Sequence, residues 1–429
     1  MQEILPETAI KNLGMAVSGG SDSMALAMLA ANWAKKKGIT FTALTVDHGL
    51  RSAATEETKC VKHWLEEWGI STHILTWKGP HPKKGIQEAA RDARYQLMAN
   101  YCEGEKIDDL LLGHQLEDQL ETLLMRLSKG SGLEGLAAMQ RVSQKGKLRL
   151  LRPLLGVRRE ILRDYLRMQK QQWIDDPSNE NPIYTRTRVG SVLKELEQLP
   201  GSNLETVALS LRRIQRASQS LEMLARQKIH EVCDISPLGY IRFPLRALEG
   251  CPDELALRML GIVLRCVGGG KRIKLQSLED LYQRLFMDGI AKSGTLGGAQ
   301  ILKSGKDWLV CREPGRYGLA EIDIEAGDSE WLWDDRFMII DSTPGKPIPA
   351  SLHLRALGLK GWAQLKTDGL APKAQRIPAK VRYSLPALWF GEEMVAAPLL
   401  VTDDSDEMSL NRRFHMQFRA IYWMLDPVS

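Results

Sequence analysis

Ser18-Gly19-Gly20-Ser21-Asp22-Ser23 lies between the apolar run Met15-Ala16-Val17 and an Ala, Leu and Met-rich stretch that begins near Met24. This pattern predicts a short strand, a glycine turn and a helix. Adjacent glycines before a helix N-terminus offer backbone N–H groups and the positive end of the helix dipole to an anion. We therefore predict that Ser18–Ser23, called the phosphate loop below, binds the phosphates of a nucleotide.

The phosphate loop differs from the two best-known nucleotide loops. It lacks the Gly-Lys-Ser/Thr ending of a Walker A sequence, and it does not contain Gly-x-Gly-x-x-Gly. These absences argue against GTPase-type and dinucleotide-binding folds. The alternative without a ligand is a turn of small residues followed by a Ser/Asp helix cap.

Length and composition allow a multidomain enzyme. The 429 residues are too many for one ordinary core and suggest two or three domains. No run approaches the roughly 20 apolar residues that cross a bilayer, and Met1-Gln2-Glu3-Ile4-Leu5-Pro6 lacks the layout of a signal peptide. The six cysteines form no Cys-x-x-Cys pair, which argues against a zinc knuckle or a disulfide framework. We predict a cytoplasmic protein.

The first third of the chain alternates apolar runs with helix-like segments of about 15 residues. The runs that predict strands are 15–17, 41–46, 71–75 and 110–112. This βαβα rhythm predicts an α/β fold with a doubly wound parallel sheet. Ligands of such sheets bind at the carboxyl ends of the strands, where the phosphate loop, residues 47–51 and Gly113-His114 would meet.

The segment 113–122 is rich in side chains that can do chemistry. On a helix, His114, Glu117, Asp118 and Glu121 would share one face because they are spaced i, i+3, i+4 and i+7. A solvated face is the ordinary interpretation of such a stripe. Its position directly after a strand favours Mg²⁺ binding or recognition of a cationic substrate.

Basic residues concentrate in two further segments. Arg91, Arg94 and Tyr95 would share a helical face, where an arginine could hold a phosphate or carboxylate, or pair with a nearby acid. Between Arg141 and Lys170 there are ten Lys or Arg residues against two acidic ones. This excess predicts either contact with a polyanion or a solvated helix face.

Taken together, these motifs resemble the PP-loop ATP pyrophosphatases and, more specifically, the bacterial tRNA(Ile)-lysidine synthase family. The residues that carry the resemblance are Ser18–Ser23, Val46–Arg51, Ala89–Tyr95, Gly113–Thr122, Gly130–Leu133, Gly135-Leu136, Arg152–Leu155 and Asp176–Asn179, with weaker similarity in 294–298 and in Arg376-Ile377-Pro378, Arg382 and Pro386.

The resemblance implies a two-step ligase. ATP adenylates the wobble cytidine in the CAU anticodon of tRNA(Ile), and free L-lysine then displaces AMP to give lysidine. The implied cofactors are ATP and Mg²⁺, with Asp22 as the metal or phosphate-positioning residue. Asp118 and Glu121 would hold the lysine, while Arg94 and His114 match positions tied to catalysis and nucleotide contact. The partners are that tRNA and lysine, with no membrane and with a homodimer left open.

The same resemblance predicts three parts of the chain. These are a PP-loop adenylation domain over 1–202, a helical linker and mixed middle tRNA-binding domain over 203–316, and a small α+β C-terminal tRNA-binding domain over 330–429. In the last part, basic residues interleave with Trp362 and Trp389, which suits either an RNA surface or a small core.

Two features depart from the family pattern. Glu117-Asp118 stands where two aspartates are common, and Thr187 and Gly190 stand where the family tends to have Asn and Arg. Two alternatives stay open at this point. One is another PP-loop tRNA-modifying or amidating enzyme, and the other is a non-catalytic RNA-binding protein on a decayed nucleotide fold.

Overall fold

A computed structural model describes residues 10–49, 52–79, 86–146, 148–175, 185–200, 203–289, 292–315, 318–325, 327–343, 345–348, 351–369, 377–401 and 409–419. Contacts divide the chain into two compact units, and the boundary between Ser218 and Gln219 falls inside a long helix. In the described residues, no helix is long and apolar enough to cross a membrane.

The elements of the first unit, in chain order, are β1 (Asn12–Ala16), α1 (Ser21–Lys37), β2 (Thr40–Asp47), α2 (Ser52–Glu67), β3 (Ser71–Thr76), α3 (Ile86–Gly104), β4 (Asp109–Leu112), α4 (Leu116–Leu127), α5 (Leu133–Leu136), β5 (Val142–Lys145), β6 (Leu148–Leu151), α6 (Arg159–Met168), α7 (Thr185–Glu197) and α8 (Leu204–Val232), which continues into the second unit.

The predicted parallel sheet is confirmed. Its six strands lie in the order β3-β2-β1-β4-β6-β5, and all neighbours are parallel except the β5–β6 hairpin. Strand β1 begins three residues earlier than predicted, and the Val17 N–H still bonds to the Leu44 carbonyl at 2.8 Å.

Both faces of the sheet centre are buried, which is why β1 and β4 are mostly apolar. Leu13 and Met15 pack with α1, α2 and α6 on one face. Leu110 and Leu112 pack with α3 on the other face. The sheet is therefore doubly wound.

The chain builds outward from β1 in two directions. It proceeds to β2 and β3 on one side, and to β4 and β6 on the other. The connections after β1 and β4 consequently diverge at the carboxyl edge. A crevice at such a switch point is the usual ligand site of an open α/β sheet.

The elements of the second unit are β7 (Asp234–Ser236), β8 (Tyr240–Pro244), α9 (Asp253–Gly268), α10 (Leu275–Tyr282) with a π-helical turn (Gln283–Met287), β9 (Ser293–Leu296), β10 (Ala299–Ser304), β11 (Asp307–Arg312), β12 (Ile322–Asp323), β13 (Glu330–Trp333), β14 (Phe337–Asp341), β15 (Leu352–Ala356), α11 (Gly358–Thr367), α12 (Ala379–Arg382), β16 (Pro386–Phe390), β17 (Glu393–Ala396), α13 (Leu410–Arg413) and β18 (Phe414–Phe418).

Three antiparallel sheets organise the second unit. They have the orders β7-β8-β11-β10-β9, β12-β15-β16-β17 and β13-β14-β18. Trp362 and Trp389 are 5% and 2% exposed and belong to the core of this unit. This burial confirms the core interpretation of the two tryptophans. Arg382 Cζ lies 4.3 Å from the centre of the Trp362 ring, and Arg355 Cζ lies 4.1 Å from that of Trp389.

Candidate functional site

The phosphate loop is a tightly held turn. Gly19 has φ +87°, and a Cβ there would lie 2.6 Å from Val61 Cγ2, so only glycine fits. The Ser23 hydroxyl donates to the Gly20 carbonyl at 3.0 Å and accepts from the Ser18 N–H at 3.2 Å. Gly20 is the N-cap of α1 and has no side chain to occupy the first-turn N–H groups. Those donors suit an anion.

The end of β4 packs directly against the start of α1. A Cβ added to Gly113 would lie 3.0 Å from Ser23 Cα and 3.1 Å from Ser23 N. These are backbone atoms of a loop that is itself held by the Ile174 N–H, which donates to the Gly19 carbonyl at 2.9 Å. Gly113 therefore allows the two sides of the crevice to approach each other.

We expect Gly113→Ala to lower the free energy of unfolding by about 1–3 kcal/mol and to raise KM for ATP, because the methyl group must displace backbone. Urea unfolding and ATP kinetics would measure both changes. Gly104→Ala is the matched control, since a Cβ there meets nothing within 4 Å. Equal behaviour of the two variants would contradict the close approach.

Helix α4 brings two buried carboxylates to this crevice. The helix begins at Leu116 with Gln115 as its N-cap, and the Gln115 N–H donates to Asp118 Oδ2 at 3.0 Å. Asp118 and Glu121 are 6% and 8% exposed, so the solvated-face interpretation is wrong for both. His114 precedes the helix, so the prediction that it lies on the helical face is also wrong.

Arg159, at the start of α6, joins the phosphate loop to α4. Its Nε lies 3.3 Å from Asp22 Oδ2, and its Nη2 lies 3.7 Å from Asp118 Oδ1. Burial alone would lower the pKa of Arg159, but the charges of Asp22 and Asp118, with those of Glu117 and Glu121, raise it above the usual value. The guanidinium therefore stays protonated between the two aspartates.

Sequence analysis did not single out Arg159 as a site residue. It lies 137 residues from Asp22 along the chain. The available signal was its position in the basic stretch 141–170, shortly after the family segment Arg152–Leu155.

The fold shifts the pKa of Asp22, the acidic residue of the phosphate loop. Burial, the largest cause, raises its pKa. The charge of Arg159 opposes this rise, and the charge of Asp118 adds to it. A cation placed between Asp22 and Asp118 would therefore be stabilised, as Arg159 is here.

Glu117 has a structural task. Both of its carboxylate oxygens accept from the Arg159 N–H, at 3.2 and 3.1 Å, at the N-terminus of α6. A carboxylate at a helix N-terminus is stabilised by the unsatisfied N–H groups and the dipole. Glutamate is one methylene longer than aspartate, and this length lets the Glu117 carboxylate reach the start of α6. The hydrogen bonds to the Arg159 N–H hold Arg159 in position.

Gly190 of α7 lies against Glu121. A Cβ at Gly190 would be 3.8 Å from Glu121 Oε1. The family resemblance implies an arginine at this position, and this chain has no side chain there. Arg188, the nearby basic residue, is exposed.

Arg94 occupies a different part of the carboxyl edge. Burial lowers its pKa, and Arg91 lowers it further. The charge of Arg94 in turn lowers the pKa of His48, after the larger effect of burial on that ring. His48 follows β2, so the structure brings Arg94 to the β2 side of the edge, while Asp22, Asp118 and Arg159 meet at the switch point.

The chemistry of the donors fits Mg²⁺ bound partly by a nucleotide. In the described residues, no group of three or more His, Cys, Asp or Glu side chains forms a metal site. Mg²⁺ is usually held by one or two carboxylates together with substrate phosphates and water. The Asp22 carboxylate in the phosphate loop supplies such oxygens.

Some predicted motif residues lie outside the described residues. These are Leu50, Arg51, Asp176–Asn179 and Arg376; the side chains of Arg186 and Thr187 are likewise outside the description.

The chain is similar to proteins of known name. A PP-loop domain family matches residues 1–196. A tRNA(Ile)-lysidine synthase of Wolbachia pipientis wMel is 32% identical over 413 residues, covering 92% of this chain and 91% of the relative. The same enzyme of Ruegeria pomeroyi is 32% identical, covering 91% and 88%. That of Bradyrhizobium sp. strain BTAi1 is 37% identical, covering 66% and 82%.

Proposed function

Because the chain belongs to the tRNA(Ile)-lysidine synthase family, we propose that it joins free L-lysine to C2 of the wobble cytidine in the CAU anticodon of tRNA(Ile). It is a tRNA-modifying ligase that uses ATP. The observation that carries the proposal is the meeting of the phosphate loop with the buried carboxylates of α4 through Arg159.

In the first proposed step, the cytidine O2 attacks the α-phosphorus of ATP. A bond from O2 to phosphorus forms, the bond to the bridging oxygen of the β-phosphate breaks, and pyrophosphate leaves. Negative charge grows on the leaving group, so the first-turn N–H groups of α1 stabilise it. Arg159 is a fixed positive charge at the same place.

In the second proposed step, the side-chain amine of lysine attacks C2, and AMP leaves with the O2 oxygen. An ordinary lysine amine has a pKa of about 10.4, so only about one molecule in two thousand is neutral at pH 7. The ammonium must first give one proton to a carboxylate of the site, and the nitrogen gives up a second proton after its bond to C2 forms. We assign Asp118 and Glu121 to holding the ammonium and orienting the amine, because both are buried carboxylates of one helix.

Mg²⁺ belongs to the proposal as the companion of ATP. Asp22 would hold it together with the nucleotide phosphates. When bound, the ion neutralises charge on the phosphates. Arg159 contacts the Asp22 carboxylate, so it would have to share or leave it when a metal binds.

The rest of the proposal concerns the substrate tRNA. We propose that residues 1–202 carry the chemistry and that residues 203–316 and 330–429 bind the tRNA outside the anticodon. We propose that the protein acts in the cytoplasm. An anticodon base must be splayed into the pocket while the remaining RNA is held by shape and phosphate contacts. The proposal leaves a homodimer open.

The test is incubation of the protein with ATP, Mg²⁺, radiolabelled lysine and transcripts that differ at the wobble base. We expect label only in the CAU tRNA(Ile), together with stoichiometric AMP and pyrophosphate. Equal labelling of a methionine tRNA, release of ADP and orthophosphate, or no labelling would each reject the proposal.

A further inference from the structure

Three basic side chains lie over the Tyr95 ring of α3, and a fourth lies beside them. Lys145 Nζ lies 4.4 Å from the centre of the Tyr95 ring, and Arg91 and Arg94 Cζ lie 5.4 and 5.5 Å from it. Arg152 lies beside them, since its Nη1 donates at 2.9 Å to Ser143 Oγ of β5, the strand that carries Lys145. We call these residues the Tyr95 cluster.

Carboxylates do not neutralise the Tyr95 cluster. In the parts of the chain that the structure describes, none of its four cations forms an ion pair with an acidic side chain. Arg152 is 9% exposed and donates through Nη1 to the Gln140 carbonyl and to Ser143 Oγ, but its buried Nε has no partner there.

The arginines in and just before α6 behave differently. Arg158 pairs with Glu197 and Glu205, Arg163 with Asp175, and Arg167 with Glu160 and Asp164. With Arg149 and Arg159, five of the ten basic residues counted over 141–170 therefore pair with carboxylates. The cations of the Tyr95 cluster lie between α3 and the β5–β6 hairpin and have no such partner in the described residues.

Gathering like charges without a counter-ion costs free energy, and one aromatic ring compensates only a small part of it. We propose that the Tyr95 cluster binds a backbone phosphate of the RNA next to the base that enters the crevice. Arg91 and Lys145 are exposed and can meet a strand from solvent, while Arg94 and Arg152 form the floor.

A phosphodiester fits better than a phosphate of the bound ATP. Tyr95 packs with Leu148 and Leu150 on the sheet face covered by α3, whereas the phosphate loop leads into α1 on the opposite face. Helix α3 starts after the carboxyl end of β3, so the line from Tyr95 through Arg94 and Arg91 leads toward the carboxyl edge. An RNA strand along this line would have its next base at the crevice. This inference depends on the proposed function in taking the RNA to be the substrate tRNA.

The test measures binding of the CAU tRNA(Ile) transcript to the full chain at several NaCl concentrations without ATP. Lys145→Gln and Arg91→Gln are each expected to weaken binding about tenfold at low salt. Each should also reduce the slope of log K against log[salt] by about 0.7–1, since one phosphate contact is lost. KM for ATP should stay unchanged.

Lys36→Gln is the matched control. Lys36 is an exposed lysine in the last turn of α1, at the opposite end of that helix from the phosphate loop. It should change binding less than twofold, and thermal melts should show all three variants folded.

Unchanged RNA affinity and slope in both cluster variants would overturn the inference. A raised KM for ATP with unchanged RNA binding would overturn it in favour of a nucleotide site. Failure of the wild-type chain to transfer lysine would reject the proposed function instead, and the binding data would still decide this site.

Discussion

Asp22→Asn is expected to reduce ATP-dependent AMP release by at least about 10²–10³-fold, the loss usual when one preorganised electrostatic group is removed from a transition state. Asp22 is the second residue of α1, and its Oδ2 lies 3.3 Å from Arg159 Nε. The amide keeps the shape of the side chain but removes the charge that positions a metal or phosphate. Asp22→Ala should have the same effect.

The loss should leave the fold intact. Burial raises the pKa of Asp22, which means that the folded protein already disfavours its ionised form. The melting temperature of the variant should therefore stay close to that of the wild type. Asp164→Asn is the control, since Asp164 is an exposed acid that pairs with Arg167 at 2.6 Å. Full AMP release from the Asp22 variant would show that the phosphate loop is misassigned.

Glu121→Gln is expected to raise KM for lysine by roughly 30-fold to 5,000-fold, because losing one partner of a buried charged pair usually costs about 2–5 kcal/mol. Adenylation of the tRNA should proceed at a near-normal rate, since the phosphate loop is untouched. Pyrophosphate release without lysine, measured beside lysine incorporation, separates the two steps.

Glu117→Gln is the matched control one helical turn away. Its side-chain oxygen can still accept from the Arg159 N–H, as Glu117 does now at 3.1 Å. KM for lysine should therefore stay within about threefold of the wild-type value, less than the effect of one good hydrogen bond. If both variants raised it equally, the assignment of Glu121 to lysine would be wrong.

The local features of the site were predictable from sequence. The strand, glycine turn and helix at residues 12–37 follow from apolar periodicity and from glycines at a sharp turn. Gly19 is an example. Its φ of +87° is an angle that glycine adopts without strain, so the residue type alone indicates the turn. The doubly wound sheet followed from the spacing of the apolar runs, because parallel strands need a crossover helix between them.

Roles that depend on contacts between distant segments were not predictable in the same way. The carboxylates of α4 look alike in sequence, yet Glu117 bonds to the start of α6 while Asp118 and Glu121 are buried. Likewise, the count of basic residues over 141–170 could not separate the paired arginines of α6 from the unpaired cations around Tyr95.

By itself, the sequence determined the phosphate loop, the alternating strands and helices, and the family to which the chain belongs. These depend on residues that are neighbours along the chain and on backbone preferences that act within a few residues. Only the tertiary structure decided that Arg159 lies between Asp22 and Asp118 and that Gly113 lets β4 approach α1. The physical reason is that the order of strands in the sheet, rather than distance along the chain, sets which side chains meet and which charges are compensated.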